Sequence, residues 1–238
     1  MPIRAITFDF WQTLFREDGH ADERKLRRIR AFCKATGVDE PAAAEAHESA
    51  AAEFLRVHME EQRNLGRMDG VHWMCAHCGV TVDEVAAEWL AEAFATSILE
   101  HPPVPIDGAL ESVRAAAAVY PVGLVCDSGM SPGSSLRVLL ERHGFTSSFQ
   151  ALAFSDEVGV SKPQAAMFET AATGLGVEPE ETLHIGDLEP TDIAGALGIG
   201  AKAALFAGAN PKYLNGTKAH YTFTHWHEFL RVLPELAA

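Results

Sequence analysis

Beyond residue 101 the sequence repeats one pattern, and that pattern limits the folds open to it. Short apolar runs at 122–126, 151–154, 182–185 and 201–206 alternate with helical stretches at 134–142, 164–174 and 192–197. Strands buried on both faces and separated by helices predict a doubly wound α/β domain with a parallel sheet. Such a sheet gathers its ligands at the carboxyl ends of its strands. A further strand of the same kind, residues 3–8, ends at Asp9 near the start of the chain.

Between that strand and the rest, residues 17–100 change texture to Ala, Glu and Arg at helical spacing. Leu26, Ile29 and Cys33 are expected on one helical face, and Val85, Trp89, Leu90, Ala93 and Phe94 on another. Thr81-Val82-Asp83-Glu84 reads as a helix start, and His101-Pro102-Pro103-Val104-Pro105 as a linker. The expected organisation is a core of residues 1–16 and 101–238 with an inserted helical domain at 17–100. A chain of 238 residues, 47% hydrophobic, suffices for both.

The chain carries 33 Asp+Glu against 19 Lys+Arg, a net charge of −14. That field disfavours nucleic acid and anionic membrane as partners, so an anionic substrate needs a local cation. MPIRAITFDF reads as entering a strand directly, without a signal peptide, and no apolar run approaches the ~20 residues of a membrane span. Four cysteines, Cys33, Cys75, Cys78 and Cys126, are then expected reduced in a cytoplasmic protein.

The strand ends carry the chemistry. Asp9 closes the first, and Cys126-Asp127-Ser128 the second. Ser161-Lys162-Pro163 precedes a helix, and Gly186-Asp187-Leu188-Glu189-Pro190-Thr191-Asp192 follows the run at 182–185. Several carboxylates converging on one sheet edge repel one another unless a cation joins them, and oxygen-only ligands favour Mg²⁺.

These residues resemble the four motifs of the haloacid dehalogenase (HAD) superfamily of hydrolases. Asp9 to Thr13 is similar to the first, and the Cys126-Asp127 strand end to the second. Lys162, with Phe168 downstream, is similar to the third, and Gly186-Asp187 with Asp192 to the fourth. The resemblance implies a HAD-like, Rossmannoid core with an inserted α-helical cap. It further implies Asp9 as nucleophile, Lys162 as the lysine that orients it, and Mg²⁺ at Asp9, the Trp11 carbonyl, Asp187 and Asp192. The expected substrate is a small phosphorylated metabolite, a phosphate ester or acyl phosphate, contacted by Trp11, Cys126, Asp127 and Ser128.

Two positions depart from the family pattern. Trp11 stands where phosphatases of the family have a second Asp that protonates the leaving group, a service worth ~10²–10⁴-fold in rate. Indole cannot supply it. Gln12, His20 and residues of the cap are the candidate stand-ins. Dehalogenases of the family also carry an aromatic there, which makes hydrolysis at carbon the alternative, and a quiet binding protein a third reading. Cys126 replaces a Ser or Thr, and reads either as a buried strand residue or as a substrate contact. Three further features are weighed: Cys75-Ala76-His77-Cys78 with His72 reads as a helix end rather than a zinc site, Arg24 to Arg30 as a solvated helix face or, alternatively, as the source of a cap arginine reaching a substrate phosphate or carboxylate, and His184 as a hydrogen-bonded imidazole within the sheet.

Overall fold

The computed structural model describes residues 2–236. Its chain divides into two compact units, one of Met1–Arg16, Val104–Asp127 and Leu140–Ala238, the other of Glu17–Pro103 and Ser128–Leu139.

The first unit is built on a six-stranded parallel sheet. Its strands are β1 (Ala5–Phe8), β4 (Val122–Cys126), β5 (Ala151–Phe154), β6 (Thr182–Gly186), β7 (Lys202–Phe206) and β8 (Tyr221–Phe223), in the order β5-β4-β1-β6-β7-β8. A separate antiparallel pair joins β2 (Phe15–Arg16) to β3 (Val104–Pro105). β1, β4 and β6 are buried at every residue, as expected for central strands covered on both faces. The register sets Phe8 opposite Leu124 on one side and Ile185 on the other. The residues following these three strands therefore emerge at one edge.

Helices α5 (Ala109–Ala117), α7 (Ser155–Val158), α8 (Ala165–Leu175), α9 (Ala194–Gly198) and α10 (Trp226–Leu236) complete this unit. β8 and α10 lie beyond the elements expected from the sequence. They matter to the site, because the Trp226 indole donates to the Thr13 carbonyl at 3.2 Å. Trp226 in turn stacks on Phe206 at 4.5 Å and tilts against Phe8 at 5.7 Å. The loop after Asp9 is thus tied to the aromatic core.

The second unit contains α1 (Ala21–Thr36), α2 (Glu40–Arg56), α3 (Arg67–Cys78) and α4 (Glu84–Glu100) around Ile29, Phe32, Val71, Met74, Leu90 and Phe94. Asp83 caps α4 by accepting from the Ala86 N–H at 2.8 Å, where the sequence marks a start. The expected apolar face of α4 is shifted. Leu90 and Phe94 turn inward as expected, but Val85 is 80% and Trp89 44% exposed, and Ala87 and Ala91 take their place on the buried face. Small alanines let the helices approach closely, while Trp89 lies under the Lys34 ammonium at 5.3 Å. Leu26 is likewise 37% exposed although Ile29, on the same expected face, is buried.

Residues 128–139 belong to this unit, where the sequence reading put them with the sheet. The Ser135 hydroxyl donates to the Ala95 carbonyl at 2.9 Å, and Met130 packs into the helical core. They open α6 (Gly133–Arg142), which straddles the division. Among the described residues no helix is long and apolar enough to cross a membrane.

Candidate active site

The site begins at Asp9, where β1 ends and the chain turns. Its backbone N–H donates to the Ile185 carbonyl at 2.9 Å, so the residue stays beside β6 after the strand has ended. The turn that follows is tight. Gln12 holds the left-handed conformation at φ 56°, and the Leu14 and Phe15 N–H groups both return to the Phe10 carbonyl.

Lys162 reaches the same point from the loop before α8. Its ammonium donates to Asp9 Oδ1 and to Asp192 Oδ1, each at 2.6 Å, and to the Val125 carbonyl at 3.2 Å. Asp127 Oδ1 accepts from the Lys162 backbone N–H at 2.9 Å and so fixes the start of that side chain. Asp187, immediately after β6, completes the group. Asp9, Asp187 and Asp192 are all buried, and one oxygen of each lies within 4.8 Å of the others.

Glycine makes that convergence possible. A Cβ on Gly186 would sit 2.2 Å from the Asp192 Cγ, and one on Gly195 2.3 Å from the Phe168 ring. Neither position accepts a side chain without displacing Asp192 or the helix that carries it.

Three carboxylates face one ammonium, and burial first, then the excess negative charge, governs their protonation. Burial raises Asp9 well above the usual carboxylate range, the charges of Asp192 and Asp187 add to this, and Lys162 works against it. Asp187 is raised to about 7, by burial first and then by Asp192. Burial alone would raise Asp192 too, but Lys162 and the His184 hydrogen bond hold it below its ordinary value. Lys162 is held charged against burial by Asp192, Asp9 and Asp127.

The oxygens are unequally committed. Asp192 Oδ1 serves Lys162 and His184, and Oδ2 accepts from the Leu188 N–H at 3.0 Å. Asp187 Oδ2 accepts from Asn210 Nδ2 at 2.7 Å. Asp9 Oδ2 is buried without a partner among the described residues. A buried anionic oxygen without a donor is costly, and a divalent cation beside Asp9 and Asp187 would relieve it. This donor set fits a hard cation.

Of the other expected residues, Trp11 lies in the turn after Asp9, partly exposed, its ring 4.9 Å from Phe10. Cys126 is 0% exposed, its thiol donates to the Asp127 carbonyl at 3.4 Å, and burial followed by the Asp9 charge pushes it well above the usual thiol range. Ser128 follows Asp127 as the first residue of the helical unit's second segment. His20 is exposed and stands 3.9 Å from Glu23.

Asn210 is a site residue that the sequence reading did not single out. It stands just past the carboxyl end of β7, and the edge rule that located the aspartates extends to it. Thr7 and His184 form a second layer, with the Thr7 hydroxyl 2.9 Å from His184 Nδ1. The grouping Cys75, Cys78, His72 and His77 brings no three ligand atoms together among the described residues.

The family model of haloacid dehalogenase-like hydrolases matches residues 3–200. The chain belongs to this family. It is a HAD-family hydrolase whose similar proteins include phosphatases. It is 28% identical over 145 residues to a pyrimidine 5'-nucleotidase of Escherichia coli, a match spanning 60% of this chain and 63% of that protein. To a glyceraldehyde 3-phosphate phosphatase of Methanopyrus kandleri it is 27% identical, over 82% of this chain and 79% of the relative. Among solved structures, a 2-haloacid dehalogenase from Pseudomonas syringae superposes with a TM-score of 0.71 at 19% identity, covering 98% of this chain and 99% of the other. That likeness is one of fold.

Proposed function

We propose that this hydrolase cleaves a phosphate ester or acyl phosphate of a small anionic molecule, with Asp9 as nucleophile and Mg²⁺ as cofactor. The observation that carries the reading is the buried trio Asp9, Asp187 and Asp192 around one lysine. A halide displacement at carbon has no use for so much negative charge, whereas a divalent cation would balance it and offset the charge of an incoming phosphoryl group. The phosphatase named among the relatives points the same way.

Asp9 and Asp187 would hold the cation directly with the Trp11 carbonyl, and Asp192 would support them through Lys162. Bound Mg²⁺ would keep Asp9 ionised and offset charge on the phosphoryl oxygens. Lys162 and the cation would hold the Asp9 carboxylate in place, and one of its oxygens attacks phosphorus. The bond from phosphorus to the leaving oxygen breaks, its electrons pass to that oxygen, and a phosphoaspartyl ester forms on Asp9. Water then attacks phosphorus, the ester bond breaks, and inorganic phosphate departs with the proton. Splitting the displacement in two lowers each barrier. Trp11 has no proton to give the leaving oxygen, so good leaving groups are favoured. The acidic field and the free thiols fit a cytoplasmic enzyme of small molecules rather than a nucleic-acid or membrane partner.

The test is hydrolysis of an aryl phosphate, with and without Mg²⁺, beside 2-haloacids, by the wild type and Asp9→Asn. The expected result is Mg²⁺-dependent phosphate release that the near-isosteric Asp9→Asn abolishes without loss of fold. Halide release without metal, and no phosphate from any ester, would overturn it.

A further inference from the structure

We propose that Asn210 is a positioning residue for the cation. Its amide holds Asp187 in the orientation that takes Mg²⁺, and ties the loop between β7 and β8 to that site. β7 and β8 are parallel neighbours, so the chain must cross back from the carboxyl edge before β8 begins. Such crossovers usually run through a helix. Here residues 207–220 contain one short turn, Pro211–Tyr213, and the loop is held by other means. Its ends pair with the sheet, the Ala207 N–H donating to the Phe223 carbonyl at 2.7 Å and the His220 N–H to the Ala203 carbonyl at 2.8 Å.

Between those ends, side chains tie the loop to the segment after β6 that carries the acids. Near its start, Asn210 Nδ2 donates to Asp187 Oδ2 at 2.7 Å. Near its finish, Glu189 accepts from the Thr217 hydroxyl at 2.6 Å and from the Lys218 N–H at 3.0 Å. Thr217 Oγ1 in turn accepts from the Ala219 N–H at 3.1 Å. The direction of the Asn210 amide is set within its own loop. Its oxygen accepts from the Lys212 N–H at 3.3 Å, which opens the turn at Pro211, so the NH₂ group is the end that faces Asp187.

A turn former needs only the oxygen, and the NH₂ contact with Asp187 is additional to it. Lys162 steadies two of the three acids, its ammonium donating to Asp9 and Asp192 at 2.6 Å each. Asn210 does the same for the third. A carboxylate that is hydrogen-bonded from outside its metal site is held at one angle, and loss of such a partner typically costs ~10–100-fold in metal affinity. The coupling is reciprocal, so a loop that steadies the ligand is itself steadied by the ion.

Asn210→Ser separates the two services, because serine keeps an oxygen for the Lys212 N–H but is too short to bring a donor to Asp187. Mg²⁺ binding to the full-length protein, stripped of metal, is measured by calorimetry. Affinity should weaken by ~10–100-fold in Asn210→Ser. Thr217→Ala is the comparison, since it loosens the far end of the loop and leaves the Asp187 bond in place. It should lose much less. In the wild type, Mg²⁺ should also slow amide hydrogen exchange across residues 208–219, and Asn210→Ser should lose that protection. Unchanged affinity in Asn210→Ser, an equal loss in Thr217→Ala, or a wild-type loop whose exchange ignores Mg²⁺ would each overturn the role of Asn210. Should Asn210→Ser not fold, the wild-type exchange still decides the case, together with Asn210→Gln, which displaces the amide by one methylene and should weaken Mg²⁺ binding. The role rests on the Mg²⁺ reading, yet the two fail differently. A wild type that takes up no Mg²⁺ overturns both, whereas binding that Asn210→Ser leaves intact overturns the role of Asn210 alone.

Discussion

His184 Nε2 lies 3.0 Å from Asp192 Oδ1, and both side chains are buried. Asp192 is ionised and can only accept, so Nε2 carries the proton and Nδ1 accepts from the Thr7 hydroxyl. One imidazole therefore links β1 to the carboxylate that steadies Lys162. Asp192 is satisfied by the protein itself, which leaves Asp9 and Asp187 as the acids with capacity for a further partner.

His184→Leu should lower stability by ~1–3 kcal/mol, because it removes one of the two donors to Asp192 Oδ1 and strands the buried Thr7 hydroxyl. Urea unfolding measures the loss. A variant as stable as the wild type would show that the imidazole merely fills space.

Asp187 gives a pH dependence with a defined sign. Its folded pKa is raised to about 7, so the folded chain keeps a proton that the unfolded chain has already lost. That stability is present below the ordinary carboxylate value and is lost as pH rises through about 7. His47 and His184, lowered by burial, act in the opposite sense, but only up to their ordinary value of about 6.5. Between pH ~6.5 and ~8 the carboxylates decide. The melting temperature of metal-free protein should fall across this window, less steeply in Asp187→Asn, and Mg²⁺ should remove much of the fall. An equal slope in the variant would place the titration elsewhere.

The sheet and the acids were legible because both follow from one rule. A buried parallel strand is apolar along its length, and the first polar residue after it must lie at the carboxyl edge. Asp9, Asp127 and Asp187 were found in this way, as was Asp83 from its capping pattern. The α4 face differs from expectation only at Val85 and Trp89, for a different reason. Val85 and Trp89 outrank alanine in hydropathy, but close helix packing selected Ala87 and Ala91 instead. Asn210 escaped notice because an Asn before a Pro reads first as a turn former.

His47 predicts acid sensitivity in the helical unit. Burial first, then Arg28 and Lys25, lowers its pKa to about 4, so unfolding in mild acid takes up a proton. Stability from this residue is complete above pH ~6.5 and disappears as pH falls through about 4. His47→Leu should therefore lose less stability than the wild type between pH 7 and pH 5, by ~1–2 kcal/mol. Parallel urea titrations at the two pH values measure the difference, and identical losses would count against a neutral, partnerless imidazole.

Trp11 yields the sharpest kinetic expectation. With no acid beside the leaving oxygen, turnover should depend steeply on leaving-group pKa, being measurable for aryl and acyl phosphates and poor for sugar phosphates. Trp11→Asp should then raise alkyl-phosphate hydrolysis, with the ~10²–10⁴-fold worth of a general acid as its ceiling. The gain should fall short of that ceiling because the indole contacts Phe10 at 4.9 Å, and its removal leaves a gap in the turn that carries Asp9. Phe10 stays stacked on Phe15 at 4.4 Å, so the turn itself should survive the change. A Brønsted plot over a series of esters checks both statements. A flat line for the wild type would mean that another side chain already protonates the leaving oxygen, and His20→Ala would then be the first variant to make.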